Sequence, residues 1–491
     1  MRFSSTALIG VCLGLRAVVA APHPVYSAFT NSTNAWDVGT TITFPNSDAF
    51  VEATERWNTA NGPGYSVAIT PATEKDVARA VRIARAIDFP FLATGGRHST
   101  SVTVEDLQNG LAIDLRALNS VEIDDEAGTL TVGGGTIFRE MVDEVYEAGY
   151  QMPIGTCSCP GMVGVTGGGG IGRFQGVNGL LIDSLLSVRL VTAKGKIINV
   201  SEDVNSDLFW AIRGAAPNFG IITSATYRLH EPTNDGQIFS ADFILPASAN
   251  ASYFDILQGL EGTIPAELST ITILTYNETI NEPQIIAGWV YLGPEARGRE
   301  LIQPILDLNP VLTSISTTVQ YNELPYVALL GLGNTICNQV EISGYGVNYR
   351  TLSSSTYQTV FQLLTDFFAE FPDGRGSSVE LEIFAPQAVE AIPAGDTPYP
   401  WRDALGYTLM SYAWATTETH QAGIETGEAV RAAFAATSGY DGLATYVNYA
   451  HGDETLSQMF GESVPRLQAL KSIWDPENLF GFFHGLSTTP V

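Results

Sequence analysis

Two stretches of this chain hold residue types that could do chemistry. In one, Phe91–Thr100 reads FLATGGRHST and sets His98 directly after a Gly-Gly-Arg turn. In the other, Gly155–Gly172 reads GTCSCPGMVGVTGGGGIG: Cys157 and Cys159 stand two apart, followed by a loop so rich in glycine that its backbone can lie against a flat, phosphate-bearing ligand. A cofactor is expected there. The literal G-x-G-x-x-G formed by Gly167, Gly169 and Gly172 is not a dinucleotide fingerprint. No clean strand precedes it, Arg173–Gly179 is turn-prone rather than helical, and no acid follows at the required distance of about 20 residues. His98 follows a flexible turn after a buried strand, a place where backbone N–H groups face an anion while the imidazole reaches into a cleft. Zinc is disfavoured because the other histidines beyond the leader (His23, His230, His420, His451, His484) are scattered, and no Gly-x-Ser-x-Gly elbow marks a serine hydrolase.

The elements that must position these residues alternate between strand and helix. Thr73 with Asp76 three residues on is a capping-box pattern that opens an amphipathic helix over Glu74–Ala86, with Val77, Ala80, Val81 and Ala84 at helical spacing. Phe91–Thr94 reads as a buried strand. Short β signals follow at Leu111–Leu115, Ser120–Ile123 and Thr129–Val132, then a Gly133–Gly135 turn and a helix over Thr136–Ala148. Asp207–Arg213 reads as a short buried helix feeding the glycine turn Gly214–Gly220 and a strand from Ile221 to Leu229. The polar, proline-containing HEPTNDG at His230–Gly236 marks a domain boundary. From 237 to 440 strands (Thr270–Leu274, Gln284–Tyr291, Val379–Phe384, Gly406–Trp414) alternate with helices (Glu295–Leu306, Ser354–Phe371, Gly423–Ala436), most simply an antiparallel sheet backed by helices. Glu380 and Glu382 share one face of their strand, either lining a cleft or solvated on an edge. A β stretch Tyr446–Tyr449 and a helix Pro465–Trp474 close the chain, and this last segment is expected to return to the first domain. The chain thus divides into 21–232 with 441–491 as one domain and 233–440 as the other, which the resemblance given below implies to be the FAD-binding and the substrate domain.

The chain has 491 residues, 45% hydrophobic and 15% charged, enough for two packed domains. Residues 1–20 carry Arg2, an apolar run and the small-residue end Val18-Val19-Ala20, the pattern of a secretory signal peptide. Its removal deletes Arg2 and Arg16 and no acid, so the formal charge goes from −28 to −30. Such a charge argues against nucleic acid and anionic membrane as partners and favours a soluble monomer. Sequons at Asn31, Asn199, Asn250 and Asn277 fit a secreted glycoprotein. Cys12 leaves with the leader, and Cys157, Cys159 and Cys337 remain. An odd number in an oxidising compartment suggests a thiol used for something other than a disulfide, such as a cofactor linkage. A bridge from Cys157 or Cys159 to Cys337, leaving one buried thiol, is the alternative.

These stretches resemble the covalent-flavin branch of the vanillyl-alcohol-oxidase superfamily, the berberine-bridge-like oxidoreductases. The resemblance implies an α+β, two-domain FAD-binding fold of the PCMH type with an antiparallel-sheet substrate domain. In that family a turn ending in Gly-Gly-His supplies a histidine bound to the flavin 8α-methyl, which implies this role for His98, with Arg97 where a glycine is usual. A downstream G-x-C supplies a cysteine bound to flavin C6, and a gapless alignment of the Gly168–Gly172 run places Cys157 there, with Gly161 and Gly164 on the family's glycines. Thr94, Gly95, Gly96, Ser99, Gly172, Gly220, Ile222 and Asn478 are implied cofactor-site residues. The run Asp207–Gly214 followed by Asn218–Thr223 is similar to the family's segment ending at the FAD adenine, and Asp475-Pro476-x-Asn478-x-Phe480 to its terminal turn.

Tyr446-Val447-Asn448-Tyr449 resembles the family's active-site tyrosine segment, which implies Tyr449 as the base; Tyr446, three away on a strand, would point to the opposite face. Arg402 lies in a stretch similar to a family Pro-x-Arg segment. Pro160 stands where a branched residue commonly gates oxygen. The implied function is a secreted, covalently flavinylated oxidase. It moves a hydride from a small-molecule alcohol or activated C–H to FAD, with O2 as reoxidant. An oligosaccharide oxidase is the alternative, weakened by the lack of a clear acidic partner for Tyr449. A flavin- or sugar-binding glycoprotein without turnover is the alternative of another class.

Overall fold

A computed structural model describes residues 24–487 of the chain, so the predicted leader lies outside the described residues. Three sheets organise the molecule. The first holds β1 (Thr41–Thr43), β2 (Tyr65–Thr70), β3 (Phe91–Thr94) and β4 (Gly110–Asp114) in the order β1-β2-β4-β3, with β4 parallel to both β2 and β3. The helix Glu74–Ala86 makes the crossover from β2 to β3 that a parallel arrangement requires. Thr73 caps it by accepting from the Asp76 N–H, and Val77, Ala80, Val81 and Ala84 are fully buried against Ile69, Phe91 and Ile113.

The second sheet holds β5 (Val121–Asp124), β6 (Thr129–Gly133), β7 (Leu185–Val191), β8 (Ile197–Ser201) and β9 (Ile221–Arg228), all antiparallel, in the order β5-β6-β9-β7-β8. The third, also antiparallel, holds β10 (Ile238–Pro246), β11 (Leu268–Asn277), β12 (Glu282–Tyr291), β13 (Leu312–Val319), β14 (Ile342–Tyr349), β15 (Ser378–Phe384) and β16 (Gly406–Ala413), in the order β13-β10-β12-β11-β15-β16-β14. One face of this sheet is covered by the helices Asn250–Gln258, Glu295–Leu306, Ser354–Glu370 and Thr417–Ala435 through a core that includes Trp289, Tyr345, Phe361 and Phe434. The expected antiparallel sheet backed by helices is present. Its other face meets Ile171, Leu180 and Ile182 from the first half of the chain.

Four local expectations are corrected. The stretch Gly155–Gly172 is not a loop throughout, because Met162–Gly168 coils into a helix whose Met162 and Thr166 are buried. Gln175–Asn178 likewise forms a one-turn helix where only turns were expected. The helix expected over Thr136–Ala148 is delayed to Val142–Glu147, since Phe138 and Arg139 give their N–H groups to the carbonyls of Pro160 and Ser158 instead of to a helical turn. Finally, Tyr446–Tyr449 is no strand: Val447–Tyr449 makes a 3₁₀ turn with the Tyr449 N–H on the Tyr446 carbonyl.

The C-terminal segment is pinned to the first half by polar groups. Buried Lys471 donates to the carbonyls of Asn218 (2.8 Å) and Phe480 (3.0 Å) and pairs with Asp475 at 2.7 Å. Asp475 in turn accepts from the Leu479 and Phe480 N–H groups, which sets the Phe480 ring edge-on to Phe91 at 5.5 Å. Arg402 has a similar structural job. Its guanidinium donates to both Asp183 oxygens (2.8 and 3.1 Å), to Thr397 Oγ1 (2.9 Å) and to the Val389 carbonyl (3.2 Å). Both ion-pair partners are buried, 7% and 6% exposed, so removing one strands the other charge. Arg402→Ala is expected to cost about 3–5 kcal/mol, visible as a lower thermal midpoint with unchanged cofactor chemistry in the protein that remains folded. An unaltered midpoint would show that the pair contributes nothing net.

A candidate cofactor and active site

β3 delivers the chain from Phe91 to Thr94 into the turn Gly95–His98, and that turn lies backbone to backbone against Pro160–Gly161. A Cβ on Gly96 would overlap the Gly161 nitrogen, and one on Gly161 would stand 2.6 Å from the Gly96 nitrogen. Glycine is therefore required twice at one contact. Arg97 takes φ +55°, the left-handed region that glycine adopts most readily, which explains why a glycine suits this position. Its guanidinium turns away from the site, donating to the Glu52 carbonyl at 2.8 Å and lying 3.6 Å from Glu55. Ser99 closes the turn: its hydroxyl accepts from the Ser101 N–H and its carbonyl from Arg56.

His98 is stacked on Trp57, ring centroids 4.1 Å apart, with Nε2 3.5 Å from Cys159 Sγ. Burial pushes its pKa down to about 4, so the imidazole is neutral near pH 7. Cys159 is bridged to Cys337, and Cys157 is the free thiol among the described residues. The parity of the cysteines is thus resolved by a disulfide that leaves Cys157, not Cys159, open to other chemistry. Burial first, then the nearby Glu380 and Glu382, push the Cys157 thiol up to about 12.

A cavity between the first two sheets is walled by Gly95, Gly134, Gly164, Gly167, Gly220 and Ile222. Two reasons for glycine occur here. Gly95 and Gly220 are demanded by packing, since a Cβ would lie 2.8 Å from the Gly134 oxygen or 2.5 Å from Leu190 Cδ2. At Gly164 a Cβ would meet nothing within 4 Å, so the missing side chain leaves backbone bare to the cavity. Buried His484 offers an Nε2 with no protein partner. A cavity with backbone bare on its wall, and with Gly95 of the His98 turn in its lining, fits a flat, phosphate-bearing cofactor. Gly172 belongs to packing instead, pressed on the Ile154 carbonyl, and Asn478 supplies a left-handed turn (φ +53°) after Asp475. Thr94 pairs with Asp114 at the end of β3.

The third sheet brings the acids. β15 lies between β11 and β16, so Glu380 and Glu382 are not on an edge strand; Glu382 is only 1% exposed and Glu380 half-buried. Tyr449 Oη donates to Glu382 Oε2 at 2.9 Å. The acidic partner not evident in the sequence is therefore Glu382, 67 residues upstream. The legible signal was two glutamates alternating on an otherwise apolar strand. Tyr446 does not face away, because the 3₁₀ turn sets its ring 5.1 Å from that of Tyr449, edge to face. Its hydroxyl accepts from the Gly170 N–H (3.1 Å) and Asn448 Nδ2 (2.7 Å), tying the turn to the glycine run.

Burial, reinforced by Glu382 and Glu380, raises the Tyr449 pKa well above the ordinary phenol value. Tyr449 is a phenol that gives its proton to a carboxylate, not a free phenolate. Burial also raises Glu380, to about 7, and Glu382, which Glu380 pushes further up while the Tyr449 hydrogen bond pulls it down. Two carboxylates on one strand face titrate together, and near pH 7 they hold a proton between them.

Residues 65–201 match the family described as FAD binding domain, and residues 445–487 the family described as Berberine and berberine like. FAD-linked oxidoreductase OXR1 of Pyricularia oryzae is 44% identical over 455 residues, covering 91% of this chain and 89% of that protein. Among solved structures, the wild-type BBE-like 1 of Physcomitrella patens superposes with a TM-score of 0.80 at 21% identity, covering 92% of this chain and 98% of that one. A glucooligosaccharide oxidase of Acremonium strictum, described as carrying a 6-S-cysteinyl, 8α-N1-histidyl FAD, gives 0.78 at 21% identity, with coverages of 92% and 98%.

Glu380 supplies a test of the pair. Its pKa rises from 4.5 to about 7 on folding, so between those values the folded state keeps a proton that the unfolded state has lost. Stability from this group falls as pH rises through that window. The thermal midpoint of the wild type is expected to drop by several degrees more than that of Glu380→Gln between about pH 5 and about pH 7.5. Parallel midpoint curves would refute the proton-holding carboxylate.

Proposed function

The chain belongs to the FAD-linked oxidoreductases of the berberine-like family, and from that premise we propose that it is a secreted oxidase with doubly attached FAD acting on a small-molecule alcohol or activated C–H. Bound FAD would supply the redox chemistry, taking a hydride from the substrate and giving two electrons, with two protons, to O2 as hydrogen peroxide; binding, orientation and the substrate's hydroxyl proton fall to the protein. His98 and Cys157 would hold the flavin covalently. What supports this is that Gly95 of the His98 turn and Gly164 beyond the cysteine pair both wall the cavity, that the His98 ring is neutral, and that Cys157 is the one free thiol among the described residues, with Cys159 excluded by its disulfide. Residues 21–232 and 441–491 would form the cofactor-holding part and 233–440 the substrate part.

The observation that carries the catalytic reading is the Tyr449–Glu382 hydrogen bond. Tyr449 spends its own proton on Glu382, so a lone pair on its oxygen is free to accept a hydrogen bond from a substrate hydroxyl. As the hydroxyl proton moves onto Tyr449, the phenolic proton passes to Glu382, and no free phenolate has to form in a buried site. Glu380 beside it would set the charge against which that proton is taken. This pair also removes the objection to the second reading, an oligosaccharide oxidase working on an anomeric hydroxyl. Pro160 lies in the tight turn against Gly96, and oxidase rather than dehydrogenase behaviour is the proposal for this chain. No helix among the described residues is long and apolar enough to cross a membrane.

The attachment is tested by denaturing and acid-precipitating the protein, which should stay yellow. His98→Ala or Cys157→Ala alone should keep flavin on the pellet and the double variant should release it, whereas free FAD in the wild-type supernatant sinks the idea. Turnover is tested by a substrate panel read through peroxide release; rapid reoxidation by a quinone but not by air would mark a dehydrogenase. Tyr449→Phe should keep its flavin yet slow flavin reduction by about 10² to 10⁴, the usual worth of a positioned base. Tyr446→Phe should cost less, through a loosened Gly170 contact. Unchanged reduction in Tyr449→Phe would move the base elsewhere.

A further inference from the structure

The face of the third sheet that carries Glu382 is crossed by a strap. β13 and β14 stand at opposite edges of the seven strands, so residues 320–341 between them must span the whole sheet, about 29 Å at the usual strand spacing. The four long helices take one face, and Leu329 shows that the strap takes the other. It packs with Ile271, Ile286 and Tyr407, and its Cδ2 would lie 2.7 Å from a Cβ on Gly288. Gly288 and Glu382 both pair across with Ile271, so all three share this face. Leu332 of the strap and Tyr449 pack on the same apolar cluster. The approach to the Tyr449–Glu382 pair is thus filled by strap leucines.

The strap is pinned at two places and weakly built between them. Leu329, Leu330 and Gly331 are three successive left-handed residues, at φ +57°, +57° and +76°, a conformation leucine keeps only when its surroundings hold it. Here the holder is buried Asp242, whose carboxylate accepts from the N–H groups of Leu329 (3.0 Å) and Leu330 (2.9 Å). At the far end Cys337 is bridged to Cys159, Trp57 Nε1 donates to the Ile336 carbonyl at 2.6 Å, and Val340 exchanges backbone bonds with Trp57 and Thr59. Between the pins lie Gly331, the one-turn helix Leu332–Thr335, which includes a second glycine, Gly333, and the exposed Ile336. Val327 and Leu330 are exposed as well, so the strap is apolar on its outer side too.

We propose that residues 329–336 are a hinged cover over the Tyr449–Glu382 pair, that Asp242 is the positioning residue holding its hinge, and that the substrate admitted beneath is an apolar alcohol whose hydrocarbon body takes the place of the strap leucines. Lifting Leu329 and Leu332 bares Ile271, Ile273, Ile286 and Tyr407, with Glu382 and the Tyr449 hydroxyl as the polar end. An oligosaccharide would leave most of its hydroxyls without partners on such a surface. The assignment rests on Tyr449–Glu382 as the proton-accepting pair, and it is read by binding and exchange, which need no turnover.

The test uses the flavin-loaded enzyme without oxygen and three probes: benzyl alcohol, 2-naphthylmethanol and cellobiose. The flavin spectrum in stopped flow and the heat of binding follow each probe, and amide hydrogen exchange of peptides spanning 329–336 follows the cover. 2-Naphthylmethanol should bind at least about 10-fold more tightly than cellobiose. Gly288→Ala sets a methyl group against Leu329 Cδ2 and lifts the cover without touching Tyr449 or Glu382, while Asp242→Asn removes the charge at the hinge. Each should speed exchange over 329–336 at least about 10-fold. Each should also speed association of 2-naphthylmethanol at least about 5-fold and of the smaller benzyl alcohol less than about 2-fold. The paired change Cys159→Ser and Cys337→Ser frees the far pin, keeps Cys157, and should act in the same direction. Tighter binding of cellobiose, or no binding of either alcohol, would overturn the substrate class. Unchanged exchange in both Gly288→Ala and Asp242→Asn, or equal rate changes for all probes, would make the strap a fixed wall and overturn the cover. Failure of the covalent-flavin or peroxide tests would leave the exchange and the heats of binding standing, so the two readings fail separately.

Discussion

Two turns from distant parts of the chain meet at Gly96 and Gly161 so closely that neither can carry a Cβ. That contact fixes the distance between the His98 loop and the cysteine loop, and the rest of the site is referred to it. Arg97 is forced into a left-handed backbone to keep the turn tight, and its side chain is compensated outside the site by the Glu52 carbonyl. Phe138 and Arg139 hydrogen-bond to the cysteine loop from the other side, which is why the expected helix starts late. The Cys159–Cys337 bridge then ties the same loop to the segment that lies over the third sheet. One backbone contact thus sets the His98 and cysteine loops, the disulfide and the segment over the third sheet in a single frame.

The third sheet contributes the electrostatics. Enclosing carboxylates is costly, and a group that is not paired responds by holding its proton. Glu380 and Glu382 do this in the centre of a sheet, while Asp242 is satisfied by two backbone N–H groups. Tyr449 resolves part of the cost by donating to Glu382, and in doing so becomes oriented. Arg173 Nη1 and Nη2 and Glu382 Oε1 are buried without a partner. The ion pairs Arg402–Asp183 and Lys471–Asp475 carry additional hydrogen bonds and serve the frame.

What the sequence alone determined follows from local rules. Helical periodicity and a Thr cap placed Glu74–Ala86, apolar alternation placed the strands of an antiparallel sheet, and the residue types around His98 and Cys157 pointed to a cofactor. These features depend on neighbours a few positions apart, so they can be read along the chain. The pairing of Tyr449 with Glu382 could not, because a 3₁₀ turn replaced the expected strand and a sheet register 67 residues away decided which acid it meets. The family resemblance pointed to Cys157, but the residues by themselves left Cys157 and Cys159 open, because which one is bridged turns on where Cys337 lies, 178 residues beyond Cys159. Burial of Glu380 and Glu382 was hidden for the same reason: an edge strand and a central strand have one alternation, and only the strands packed on either side tell them apart. Residue chemistry is local, while protonation state, partner and accessibility belong to the tertiary neighbours, and those decided how this site works.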